Sequence, residues 1–214
     1  LTLRTNTVPS CTTVVSGTVN VIVKPTITIS TANNPICAGS TTAIVPTAVG
    51  TGGSAEFEYT SNGFATWFTV AGVGTTAFSN LVSALSAIAT SGTYQVRVRN
   101  SNIDPCGWQY SNIIIITVNG LPTASLTGSA TVCAGVSPFT SSSFSATNTN
   151  SSTLYELSED GGATWVSYGN NASNLQNALA AKTPTVNTNY VVRVTNPGCT
   201  PQTANFSVTI APAS

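Results

Sequence analysis

The densest chemical stretch in the sequence is SEDGGATW, residues 158–165, in which Glu159 and Asp160 precede a glycine step and a tryptophan. Written as a pattern it is S-x-D-x-G-x-T-W. Two carboxylates could serve a glycosidase, but only if a pair flanks a sugar site at roughly 5–10 Å. Carboxylate and carbonyl oxygens could also hold a hard cation. The remaining acids are Glu56, Glu58, Asp104 and Glu156. Glu56 and Glu58 lie two apart on one strand face and read as solvated strand residues. The chain has no histidine, which removes the commonest general base and metal ligand together.

An internal repeat weighs against both uses. EFEYTSNGFATW (56–67) returns as TLYELSEDGGATW (153–165), so Ser61 and Asn62 stand where the second copy has Glu159 and Asp160. A residue with a catalytic or metal-binding task would not be expected to vanish from a copy carrying the same job. The Asn62-Gly63 and Asp160-Gly161 steps instead favour the positive-φ geometry of a hairpin turn, with Trp67 and Trp165 leading into return strands and covering the core. No cofactor and no metal site is expected.

The repeat extends along the whole sequence. PICAGSTTAIVPTA (35–48) matches TVCAGVSPFTSSSF (131–144), GTYQVRVRNSNIDPC (92–106) matches TNYVVRVTNPGC (188–199), and SNIIIITVNGLP (111–122) matches ANFSVTIAP (204–212). Residues 1–24 match only the end of the unit. The sequence thus divides into 1–24, a truncated repeat, and two complete repeats, 25–121 and 122–214; it reads as a fragment of a longer array.

The five cysteines follow this phasing. Cys37 and Cys133 open their units, whereas Cys11, Cys106 and Cys199 share a late position. The phasing predicts Cys37–Cys106 and Cys133–Cys199 disulfides, with Cys11 paired upstream of the fragment. Each would close a loop of about 65–70 residues, worth roughly 4 kcal/mol in the chain-entropy model. Disulfides imply an oxidising compartment and hence export.

The elements that position these residues are strands. TYQVRVRN alternates Tyr94, Val96 and Val98 with Gln95, Arg97 and Arg99, and NYVVRVTN repeats the pattern with Tyr190, Val192 and Val194; this is the period of a half-buried strand. Turn residues fall every 8–12 positions or so, as in an antiparallel sandwich. FSNLVSALSAIA (78–89) and ASNLQNALAAK (172–182) place leucines at helical spacing and predict a short helical crossover in each unit, with Ser79 or Ser173 as N-cap.

The combination of C-A-G near the start, a Y-x-x-S/T-x-[DN]-G-x-x-T-W hairpin and Y-x-V-R-V-x-N before a cysteine resembles the immunoglobulin-like repeats of giant extracellular adhesins of Bacteroidota, often exported by type IX secretion and sometimes linked to gliding. The resemblance implies all-β, tandem immunoglobulin-like sandwiches in a cell-surface or secreted stalk. The eight-residue pattern also resembles the Asp-box of sialidases, which is itself regarded as a structural turn, so it carries no enzymology.

Composition fits a stalk. Charged residues make up 6% of the chain, with six basic side chains balancing six acids, against about 25% in ordinary soluble domains. No basic patch is available for nucleic acid, and the longest apolar run, 113–118 interrupted by Thr117, is too short to span a bilayer. The expectation is a non-catalytic shaft segment whose partners are neighbouring repeats, with homo-oligomerisation into a fibre favoured by the uncharged surface. Two alternatives stand beside it: a module binding a surface glycan or protein, and an accessory domain of a secreted enzyme.

Overall fold

A computed structural model describes residues 26–29, 34–39, 46–49, 55–61, 65–70, 72, 76, 80, 81, 83, 84, 91–100 and 109–212. The fold is all-β with a short helix. In the first repeat the strands are β1 (Thr26–Ile29), β2 (Ile36–Cys37), β3 (Pro46–Val49), β4 (Ala55–Thr60), β5 (Phe68–Thr69), β6 (Gly92–Asn100), β7 (Gln109–Tyr110) and β8 (Ile114–Asn119). The second contains β9 (Thr123–Leu126), β10 (Thr131–Val132), β11 (Phe144–Thr147), β12 (Leu154–Ser158), β13 (Val166–Ser167), α1 (Ala172–Ala180), β14 (Thr188–Thr195) and β15 (Gln202–Ile210).

The two repeats share one topology. The larger sheet runs β2-β8-β6-β4-β5 in the first, with β7 added beside β6, and β10-β15-β14-β12-β13 in the second. A two-stranded ladder, β1-β3 or β9-β11, forms the second layer. Among the described strands all pairings are antiparallel except two: β2 on β8 and β10 on β15. That exception decides where the cysteines go.

Alternation sets the core. Tyr94, Val96 and Val98 are buried in the first repeat and Tyr190, Val192 and Val194 in the second, as a strand with one wet face requires. The second core closes on aromatic edges, with the Phe139 and Tyr190 rings 4.9 Å apart and edge-on. The first cluster comprises residues between Ile36 and Val118, the second residues between Leu126 and Val208, with none in common.

The helical crossover is present in the second repeat, and Thr76, Asn80, Leu81, Ser83 and Ala84 are helical in the first. Leu175 and Leu179 lie four apart, project from one side of α1 and are fully buried, as is Leu81. The N-cap is not Ser173. Asn171 takes that place with extended backbone, and its Oδ1 accepts the Ser173 N–H at 2.9 Å. Asparagine wins because Ser173 already lies inside the first turn. Ser79 lies outside the described residues. Among the described residues, no helix is long and apolar enough to cross a membrane.

Candidate functional site

The residues singled out in the sequence gather at two places, the outer face of each large sheet and the junction between repeats. On the outer face of the second repeat, Glu156 lies opposite Arg193; their Oε2 and Nε are 2.5 Å apart, and the Arg193 guanidinium stacks on Trp165 at 4.0 Å. The first repeat reproduces this with Glu58, Arg97 and Trp67, the guanidinium lying 3.9 Å from the indole. Tyr110 of β7 covers its other side at 4.2 Å. Trp67 and Trp165 therefore brace arginines on the outer face and do not cover the core. The strand pleat explains the correction, because Arg97 and Arg193 alternate with the buried valines.

Glu58 also departs from expectation. It is buried, pairing with Arg97 Nε at 2.6 Å and Arg99 Nη1 at 3.0 Å, while Glu56 reaches Arg99 Nη2 at 2.6 Å. These two acids are partners of arginines and not solvated strand residues. In the second repeat Leu154 and Thr195 replace Glu56 and Arg99, so both ion pairs of Arg99 are lost without leaving a charge unmatched.

The SEDGGATW segment is a self-bonded turn between β12 and β13. The Ser158 hydroxyl donates to Asp160 Oδ1 at 2.6 Å and accepts the Gly162 N–H at 2.7 Å. Thr164 donates to both carboxylate oxygens, its N–H to Oδ1 at 2.9 Å and its hydroxyl to Oδ2 at 2.6 Å. Hydrogen bonds from Ser158 and Thr164 hold the Asp160 carboxyl well below the usual carboxylate range. Gly161 and Gly162 both have positive φ, +75° and +100°, and the return strand begins at Val166, after Trp165. Glu159 reaches away to Lys182 Nζ at 2.5 Å. The turn spends its carboxylate on its own backbone, and Glu159 is engaged elsewhere. Asn62 and Gly63 lie outside the described residues.

Two cysteines meet at the junction, and their pairing differs from expectation. Cys37 is bonded to Cys199, with Cα atoms 4.7 Å apart across 162 positions of sequence. Cys133 is an exposed free thiol; Cys11 and Cys106 lie outside the described residues. The parallel ladder is the physical reason. Because β2 runs alongside β8, Cys37 sits beside Asn119, at the pole where the first repeat hands over to the second. β6 is antiparallel to β8, with Gly92 beside Val118, so its other end, Asn100, lies about 25 Å away at ~3.3 Å per residue. Asn100 and Gln109 are paired there. The same geometry separates Cys133 from Cys199 in the second repeat. A Cys133–Cys199 bridge would have to span the second sandwich lengthwise.

Around the disulfide lies a clamp built from uncharged amides. Only residues 120–122 separate β8 from β9. Asn119, at the end of β8, donates from Nδ2 to the Pro197 carbonyl at 2.8 Å and accepts from Asn150 Nδ2 at 3.0 Å. Asn196 is fully buried. Its Nδ2 donates to the carbonyls of Gly120 (2.6 Å) and Asn148 (2.7 Å), and its Oδ1 accepts from the Thr153 hydroxyl (2.5 Å). An amide offers donors and an acceptor without the desolvation cost of a charge, so it suits a buried seam. Gly198, at φ +77°, completes the contact: a Cβ there would lie 2.2 Å from the Pro35 carbonyl oxygen. Only glycine permits that approach.

Beside the seam, between Pro35 and Pro197, is a cleft of 420 Å³ walled by Asn119, Asn150, Ser151 and Ser152. Among the described residues its lining has no ionisable side chain. Sequence reasoning overlooked Asn119, Asn196 and Gly198 as junction residues. One signal was available: an asparagine, Asn100 or Asn196, stands at the end of β6 and just after β14, where a simple strand would not require it. No protein-family model matches the chain, and no curated protein matches it in sequence.

Proposed function

We propose that the chain is a non-catalytic structural segment of a long, repetitive extracellular shaft of immunoglobulin-like sandwiches. The observation that carries this reading is the Cys37–Cys199 bridge between successive repeats, set in a seam of buried asparagines. A linker meant to swing would be long and solvated. This one spans residues 120–122, is hydrogen-bonded on both sides and is covalently bypassed. A disulfide and a paucity of charge are compatible with an oxidising, exported setting. The non-catalytic reading draws support from the acids themselves: Glu56, Glu58, Glu156 and Glu159 are ion-paired, and Asp160 is committed to its turn.

Small-angle scattering tests the shaft directly. The expected particle is a rod near the summed length of two sandwiches, with a pair-distance profile unchanged between low and high salt. A broad, salt-dependent profile of two swinging lobes would contradict it. Self-association into a fibre belongs to the same proposal, because an uncharged surface presents little repulsion between copies. Filaments in negative stain at high concentration would support that part, and a monodisperse monomer would oppose it.

A further inference from the structure

Cys133 occupies, in the second repeat, the place that Cys37 occupies in the first. Cys37 ends the short parallel strand β2, just after Ile36 beside Val118, and Cys133 directly follows β10, just after Val132 beside Ile210. Each precedes Ala-Gly, and both glycines are left-handed, Gly39 at φ +72° and Gly135 at φ +80°, with open space around them. In the first repeat this cysteine is bonded to the next repeat; in the second its thiol is free and exposed. The surrounding pole is also partly apolar and uncovered. Val136 donates its N–H to the Cys133 carbonyl, Gly135 donates to the Pro184 carbonyl, and Val136 and Val186 are more than half exposed.

We infer that Cys133 is the outgoing half of an inter-repeat disulfide staple, whose partner is the cysteine at the Cys199 position of a further repeat docked on this pole. This deepens the shaft reading and rests on it. The rule is that the early cysteine of one repeat bonds the late cysteine of the next. Cys11 and Cys106, which align with Cys199, are then the receiving cysteines of their own repeats. Five cysteines become one closed pair and three half-staples.

The chemistry is a two-electron oxidation of two thiols by an exchangeable disulfide, such as glutathione disulfide or the active-site disulfide of a thiol oxidase. One cysteine thiolate attacks the oxidant, expelling one thiolate and forming a mixed disulfide. The second cysteine thiolate then attacks that sulfur and expels the other. Two protein thiols become one disulfide, and the oxidant leaves as two thiols.

The test lengthens the full chain at Ser214 with a second copy of residues 123–214 carrying Cys133→Ser, which preserves the spacing from Asn119 to Thr123. Protein folded in a glutathione redox buffer is alkylated, digested without reduction and mapped by mass spectrometry. Alkylation of Cys133 is expected to fall by about tenfold or more relative to the original chain, since a tethered acceptor reaches millimolar effective concentration. A Cys133 peptide joined to the added Cys199 peptide should appear, and Cys199→Ser in the added copy should restore alkylation. The Cys37–Cys199 peptide in the same digest reports folding of the parent repeats. In the original chain, Cys133 should be alkylated under native conditions while Cys37 and Cys199 are protected. Cys133 still alkylated in the extended chain, or bonded inside its own repeat in either chain, would overturn the inference. If scattering shows a proportionately longer rod while Cys133 stays free, the staple falls and the shaft stands; a rod that fails to lengthen removes the shaft itself.

Discussion

Asp160 and Gly198 are single residues with opposite kinds of importance. Asp160 closes a local turn through Ser158 and Thr164, and its copy Asn62 shows which replacement the repeat itself carries. Asp160→Asn keeps an oxygen for the Thr164 N–H, so thermal denaturation should show a small fall in melting temperature and a larger one for Asp160→Ala. The carboxyl is held below its ordinary value of 3.8. Its stabilising contribution is therefore complete above that pH, begins to fall below it, and is lost as the solution becomes acid enough to protonate the folded turn. The Thr164 amide resonance followed by NMR should hold steady at pH 4 and move only in stronger acid; movement centred near the ordinary carboxylate value would contradict the assignment. Gly198 acts between repeats. Gly198→Ala places a methyl against the Pro35 carbonyl and adds about 1–2 kcal/mol for a left-handed alanine. Slower formation of the Cys37–Cys199 bond during oxidative refolding is the expected readout.

At the scale of elements, α1 is a helix because its leucines are four apart and its first turn is capped by Asn171. Leu175→Ala or Leu179→Ala should cost about 2–5 kcal/mol, the range for emptying a buried leucine site, whereas Asn171→Ala should cost about 1 kcal/mol through loss of the cap. Urea denaturation separates the two. The helix and the β6 and β14 faces were legible in the sequence, because periodicity reports burial directly. Glu58 was misread for the same reason: it sits on the outer face by alternation, yet Arg97 and Arg99 cover it. Alternation specifies a face and is silent about what lies over that face. The two-residue strands β2 and β10 were illegible. They are too short to show a period, and their parallel pairing is a tertiary fact, so the repeat phasing did not reveal that Cys37 bonds Cys199.

For the whole molecule, the low charge and the wealth of asparagine now have a structural counterpart at the seam, where Asn119, Asn148, Asn150 and Asn196 join two sandwiches without burying a charge. The disulfide bypasses a short connection and closes a loop of 162 positions, for which the chain-entropy model gives roughly 5 kcal/mol. Tension applied across the junction would load this bridge together with the 120–122 connection, so an oxidised junction should resist extension until a sandwich unfolds. Which cysteines are joined decides whether the repeats are bridged, and peptide mapping of the oxidised, unreduced chain tests that most directly. A Cys37 peptide linked to a Cys199 peptide, with Cys133 alkylated, is the result this account predicts; Cys37 linked to Cys106 and Cys133 linked to Cys199 would contradict it.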